Sequence, residues 1–155
     1  MARLKREESE ALDKSLIHVL RRGGKLKYEN LAKSLGVSTS TVYNRIAKLE
    51  KRGVIKGYSA IFDRAKSGYG TGAILLVTID NQGNVETVSK ALTSIPEVEA
   101  VYEIGGEADI VALLYASSIE ELRNLVNEKI NSLDGVSNVT PLVIMKTYKE
   151  SGLVF

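Results

Sequence analysis

The 155-residue chain has no cysteine, one histidine and two prolines. The missing cysteine excludes disulfides, thiolate metal sites and cysteine nucleophiles. The lone histidine, His18, falls in a predicted helix, where such a residue is far more often surface or packing than catalytic. No cluster of histidine and carboxylates has metal-ligand spacing. No run of about 18 apolar residues is present, so no membrane-spanning helix is expected. The N-terminus is charged and lacks the apolar stretch of a signal peptide, which points to the cytoplasm. There is no Walker loop. The run from Gly68 to Gly72 superficially looks like a phosphate loop, but it precedes a strand instead of following one and opening a helix. An enzyme is therefore not expected, and neither is a catalytic residue, a metal or a cofactor.

The charge that is present is unevenly placed. Net charge is only +2, yet residues 1–70 carry 16 Lys+Arg against 7 Asp+Glu, and residues 71–155 carry 5 against 12. The halves therefore hold +9 and −7. A basic half suits a polyanion, through phosphate contacts and counterion release. An acidic half repels it. Arg3, Lys5, Arg21, Lys25, Lys27 and Lys33 are among the cations available.

The basic half also carries the most informative stretch, Leu31 to Tyr58. A short apolar helix ends at Leu35, Gly36 supplies a left-handed turn, and Ser38 stands where an N-cap belongs. Val42, Ile46 and Leu49 then recur at i, i+4 and i+7, which makes one apolar stripe on a new helix. The other faces carry hydroxyl, amide and cationic side chains. A helix of that kind fits a DNA major groove, although the same turn geometry and a solvated basic face also occur without DNA. An earlier helix over about 7–22 packs on the pair. Gly53 closes the third helix, and residues 54–58 and 60–62 read as the two strands of a wing.

Residues 63–72 read as a linker. Beyond it, strands over 73–79, 98–104, 109–115 and 139–148 alternate with helices over 84–94 and 118–131. Asn84 opens the first of these helices, and Ser118 with Glu121 fits a capping box on the second. Pro141 belongs at a sheet edge or bulge. The order βαββαβ predicts a ferredoxin-like sheet with two helices on one face and a bare apolar face on the other. Covering that face calls for a second copy. The fold class is thus α+β: a winged helix-turn-helix domain at 1–62, a linker at 63–72, a ferredoxin-like domain at 73–150 that resembles ACT-like effector and oligomerisation domains, and a tail at 151–155.

For DNA contact, Ser38 to Arg52 is the recognition helix with its cap. Ser40, Thr41, Asn44 and Lys48 are placed at or near base edges. Asn44 has the chemistry to pair with adenine, and Lys48 to reach guanine. Thr39, Arg45, Lys51, Arg52 and Lys56 are assigned to phosphates. Arg45 serves equally well as an ion pair between helices. Tyr43 is read as packing under the wing and not facing DNA.

The chain resembles the Lrp/AsnC, or feast/famine, family of transcriptional regulators over nearly its whole length. The resemblance rests on Leu12-Asp13, Leu16-Ile17, Leu20, Gly24-Lys25, Leu31-Ala32, Leu35-Gly36-Val37-Ser38, Thr41-Val42, Arg45-Ile46, Leu49-Glu50, Gly53-Val54-Ile55 and Gly57-Tyr58. In the second half it rests on the Gly-x-x-Asp turn, Gly106-Glu107-Ala108-Asp109. It implies a sheet-to-sheet homodimer, further assembly to octamers, double-stranded DNA as partner and an amino-acid ligand near Gly105, Gly106 and Asp109. Three positions depart from the family's pattern. Lys25 replaces a frequent arginine, Gly105 a frequent hydroxyl residue and Ala108 a frequent aromatic. On its own chemistry the Gly106–Asp109 turn reads equally well as a tight β-turn. Two other functional classes share these features: an architectural protein coating DNA with little specificity, and a small-molecule sensor whose DNA binding is secondary.

Overall fold

A computed structural model describes residues 6–23, 27–151 and 153–154. Arg3, Lys5 and the Gly24-Lys25 position lie outside the described residues. The chain forms two compact units. One holds the described residues up to Ile61 together with those from Tyr148 onward, and the other holds Phe62–Thr147.

The first unit is three helices, α1 (Arg6–Gly23), α2 (Tyr28–Leu35) and α3 (Thr39–Lys51), plus a short C-terminal hairpin, β5 (Lys149–Glu150) with β6 (Leu153–Val154). Its core is Leu16 of α1, Leu31 and Ala32 of α2, and Val42 and Ile46 of α3. Gly36 ends α2 at φ 65°, a conformation that costs a side-chain-bearing residue about 1–2 kcal/mol. The Gly36 and Val37 N–H groups both return to the Ala32 carbonyl, which turns the chain sharply into α3.

The wing expected over 54–58 and 60–62 does not form strands. The Val54 and Ile55 N–H groups bond back to the Leu49 carbonyl instead. Val54, Ile61 and Phe62 remain exposed. A two-stranded ribbon without a covered apolar face is marginal in water, which explains the loss. The expected tail at 151–155 contributes β6 to the hairpin and groups with the first unit.

The second unit is a four-stranded antiparallel sheet, β1 (Thr71–Ile79), β2 (Val98–Glu103), β3 (Ile110–Ala116) and β4 (Val136–Val143), in the order β2-β3-β1-β4. Helix α4 (Val85–Thr93) and helix α5 (Ile119–Asn124), which continues as a π-helical turn to Ile130, supply the apolar residues that cover one face. The N-caps follow the sequence. Asn84 Oδ1 accepts from the Thr87 N–H, and Ser118 Oγ from the Glu121 N–H. Glu121 differs from a standard capping box by one residue, because its carboxylate takes the Ser117 N–H. The Ser117 hydroxyl and backbone N–H hold the Glu121 carboxyl below its usual range.

Strand β4 stops at Val143, short of the expected Tyr148. Its partner β1 begins at Thr71, and the Ile144 N–H to the Gly72 carbonyl is the last rung at that end. Pro141 lies on β4, an edge strand, as its missing N–H requires.

Residues 63–72 are not a free linker. Asp63 to Gly68 forms a turn in which Asp63 Oδ1 accepts from the Lys66 N–H. Arg64 ion-pairs with Glu99 through both guanidinium nitrogens, and its plane lies 3.6 Å over the Tyr115 ring. Gly72 makes room for this: a Cβ there would stand 2.7 Å from the Tyr115 ring.

On the face away from the helices the register aligns apolar rows. Tyr102, Val111, Leu76 and Thr140 form one row, and Ala100, Leu113, Ile74 and Leu142 the next. Tyr102, Ile74 and Leu142 are exposed, at 61%, 38% and 48%.

Candidate nucleic-acid interface

Helix α3 separates its residues cleanly. Val42, Ile46 and Leu49 are buried. At about 100° per residue, Ser40, Asn44, Ala47 and Lys51 fall on the opposite side. All four are exposed, with no core residue among them. This outward row is short and polar at its start, amide and methyl at its middle, and cationic at its end. Lys48 and Arg52 flank it on one side. Tyr43 and Glu50 flank it on the other.

The start of the helix is held by hydroxyls. Ser38 Oγ accepts from the Thr41 N–H at 3.1 Å. It also shares hydrogen bonds with Thr41 Oγ1 at 2.7 Å and Ser40 Oγ at 2.9 Å. Ser38 thus caps the helix, and its cap orients the Ser40 and Thr41 hydroxyls. Thr39 is exposed beside them, and Lys56 is exposed beyond the helix.

Arg45 points away from the outward row. Its Nη1 donates to Asp13 Oδ1 of α1 at 3.4 Å, and the two side chains are 15% and 13% exposed. Of its two sequence readings, the ion pair is the one this geometry shows. The reason is position: Arg45 is adjacent to the buried stripe, facing α1. Arg52 reaches the same carboxylate at 3.9 Å but stays 56% exposed, so it retains access to a phosphate.

Tyr43 is corrected. With no wing strands to cover it, its ring is 58% exposed. It meets the Tyr28 ring edge-on, with centroids 6.0 Å apart at 70°. Tyr58 closes this side by donating to Glu50 Oε1 at 2.8 Å. Partial desolvation, then the hydrogen bond to Glu50 and its negative charge, push the Tyr58 phenol up to about 12. Ala47 was missed by sequence reading. Only its place on the outward row, opposite the stripe of Val42, Ile46 and Leu49, singles it out.

In the second unit, Gly105 and Gly106 sit in the exposed loop between β2 and β3, where a Cβ on either would meet open space. Asp109 Oδ2 accepts the Ile79 N–H at 2.7 Å, and the Asp109 N–H donates to the Val77 carbonyl at 3.0 Å. The carboxylate therefore adds one rung where the β1–β3 ladder ends, and the three residues stand together at one end of the sheet. Among the described residues no group of three His, Cys, Asp or Glu is placed to hold a metal. No helix among them is long and apolar enough to cross a membrane.

Comparison with known proteins agrees with both halves of this picture. A family model described as an AsnC-type helix-turn-helix domain matches residues 11–50, and one described as an Lrp/AsnC ligand binding domain matches residues 72–154. The HTH-type transcriptional regulator FL11 of Pyrococcus horikoshii is 35% identical over 140 residues, which is 90% of this chain and 91% of that protein. The regulatory protein AsnC of Haemophilus influenzae is 29% identical over 137 residues, 88% of this chain and 91% of its own length. A feast or famine regulatory protein from M. tuberculosis, solved with L-methionine, is similar with a TM-score of 0.82 at 29% identity, covering 91% of this chain and 95% of that one. With a helix-turn-helix in the basic unit, a ferredoxin-like sheet in the acidic one and relatives of this kind along most of its length, the chain belongs to the Lrp/AsnC family of transcriptional regulators.

Proposed function

We propose that this protein regulates transcription by sequence-specific binding of double-stranded DNA in the cytoplasm, as a homodimer or octamer, on its own promoter and others, with an amino acid as effector. The carrying observation is the outward row of α3, polar and cationic, set opposite a fully buried apolar stripe. Asn44 reads a base edge, with Ser40, Thr41 and Lys48 at or near the bases. Thr39, Lys51, Arg52 and Lys56 serve phosphates. Ser38 acts through its cap and Arg45 through Asp13.

A second copy covers the apolar rows of the open sheet face. A dimer then presents two recognition helices to successive major grooves, about 34 Å apart or a multiple of it. The amino-acid effector is supported by the match to a ligand-binding domain and by the relative solved with L-methionine. The loop at Gly105, Gly106 and Asp109 is the place proposed for it. Its backbone N–H groups face a carboxylate, and Asp109 faces an ammonium.

The test is a gel-shift titration on the promoter of the protein's own gene, at two salt concentrations, with unlabelled random DNA as competitor, with and without an amino-acid mixture. A discrete complex that survives competitor supports specific regulation. A response to amino acids supports sensing. Loss of the complex to random DNA at both salts means an architectural coat instead.

A further inference from the structure

Helix α3 carries two exposed apolar groups, Tyr43 and Ala47, that its polar row does not explain. Tyr43 holds a large ring at the surface, and Tyr28 fixes that ring edge-on. Ala47, one turn further along the same side, is also exposed and offers only a methyl group. The ring and that methyl stand about one turn apart, on the side of Asn44 nearer Glu50. Charge decides what fits there. Glu50 lies on the Tyr43 side with Tyr58 bonded to it, so this flank repels phosphate. The cations Lys48 and Arg52 lie on the other flank. A neutral apolar group is what remains, and the major groove offers one, the C5-methyl of thymine.

We propose that Tyr43 and Ala47 together take the methyl group of a thymine, so that the operator carries an A·T pair at or next to the pair read by Asn44. This deepens the reading of α3 as the base-reading helix and rests on it. The chemistry is mutually consistent: Asn44 matches the adenine N6/N7 pair, and thymine is adenine's partner. Tyr28 touches no base in this scheme. It is a positioning residue that keeps the Tyr43 ring upright.

The test uses the full-length protein and modified DNA. Preferred duplexes are selected from a random pool, and each thymine is then replaced by deoxyuridine, which pairs identically but lacks the methyl. One thymine per half-site should weaken binding about fourfold on losing it, the value of one buried methylene-sized group. In Tyr43→Ala the thymine and deoxyuridine duplexes should bind alike at that position. In Tyr43→Phe the preference should persist. The proposal is overturned if no thymine methyl matters to the unmodified protein, or if the preference survives in Tyr43→Ala. Recovery of no preferred duplex at all overturns the base-reading role of α3 itself, and this inference with it. The deoxyuridine scan on the unmodified protein needs no variant to fold, and a thermal melt of Tyr43→Ala checks that its helices are intact.

Discussion

The two units leave opposite surfaces uncovered. The first buries a small core of α1, α2 and α3 and presents a face of hydroxyl, amide and cation, within a stretch of net +9. The second buries a larger core beneath one face of its sheet and presents apolar rows on the other, within a stretch of net −7. The first surface suits a polyanion, and the second is the face proposed for another copy. The charge split favours DNA at the first unit. The acidic unit gains no attraction to DNA.

The comparison breaks most visibly at the sheet. Leu113→Asp should place an uncompensated carboxylate in the proposed interface and cost about 3–5 kcal/mol of association. Sedimentation should then show monomer, with the sheet signal retained in circular dichroism. Unchanged assembly would remove the open face from the dimer.

Leu31→Ala tests the smaller core. Leu31 is fully buried between the helices, so truncation should cost about 2–5 kcal/mol. Denaturant unfolding should show the first unit lost early and the second unaltered, because the two cores share no residue.

Asn44→Ala against Lys51→Ala separates reading from holding. The first should relax sequence preference by about 1–3 kcal/mol at one base pair, and the second should weaken all sequences and flatten the salt slope. Equal effects on both would mean that the contacts are sorted wrongly.

Arg64→Lys keeps the charge but loses the planar fork and the stack on Tyr115. The expected loss is about 1 kcal/mol in the second unit's thermal stability, with DNA binding unaffected. A larger effect on DNA binding would give the 63–72 turn a role in the first unit's task.

The smallest effect is alkaline. The Tyr58 phenol titrates near 12 in the folded chain and near 10 unfolded, so its contribution is complete below pH 10. It is lost as pH rises towards 12, because the unfolded chain releases the proton first. Tyr58→Phe should remove that part of the alkaline decline, read from melts across the window.

Much of the first unit was legible because its signals are local. The stripe Val42, Ile46, Leu49, the Gly36 turn and the Ser38 cap each depend on residues within one or two turns. The caps at Asn84 and Ser118 were legible for the same reason. The wing was not, since β-branched Val54, Ile55 and Ile61 carry strand propensity without a guaranteed partner. The end of β4 was missed likewise. The rung from Ile144 to Gly72 is the last that β1 offers, and nothing near residue 148 encodes where β1 begins. At the interface, Arg45 left two readings open that only Asp13, 32 residues away, could separate. Tyr43 was misplaced because its expected cover was the wing.

Local signals alone carry the helix-turn-helix, the βαββαβ order and the division of charge, which follow from short-range periodicity, capping chemistry and composition, while named motifs carry the family resemblance. Long-range packing set the rest: 63–72 is clamped to the sheet by Arg64, Lys149–Glu150 and Leu153–Val154 form a hairpin grouped with the first unit, and Tyr43 stands exposed beside Ala47. Each of these depends on a side chain or strand meeting a partner distant in sequence, and no local pattern specifies such a meeting.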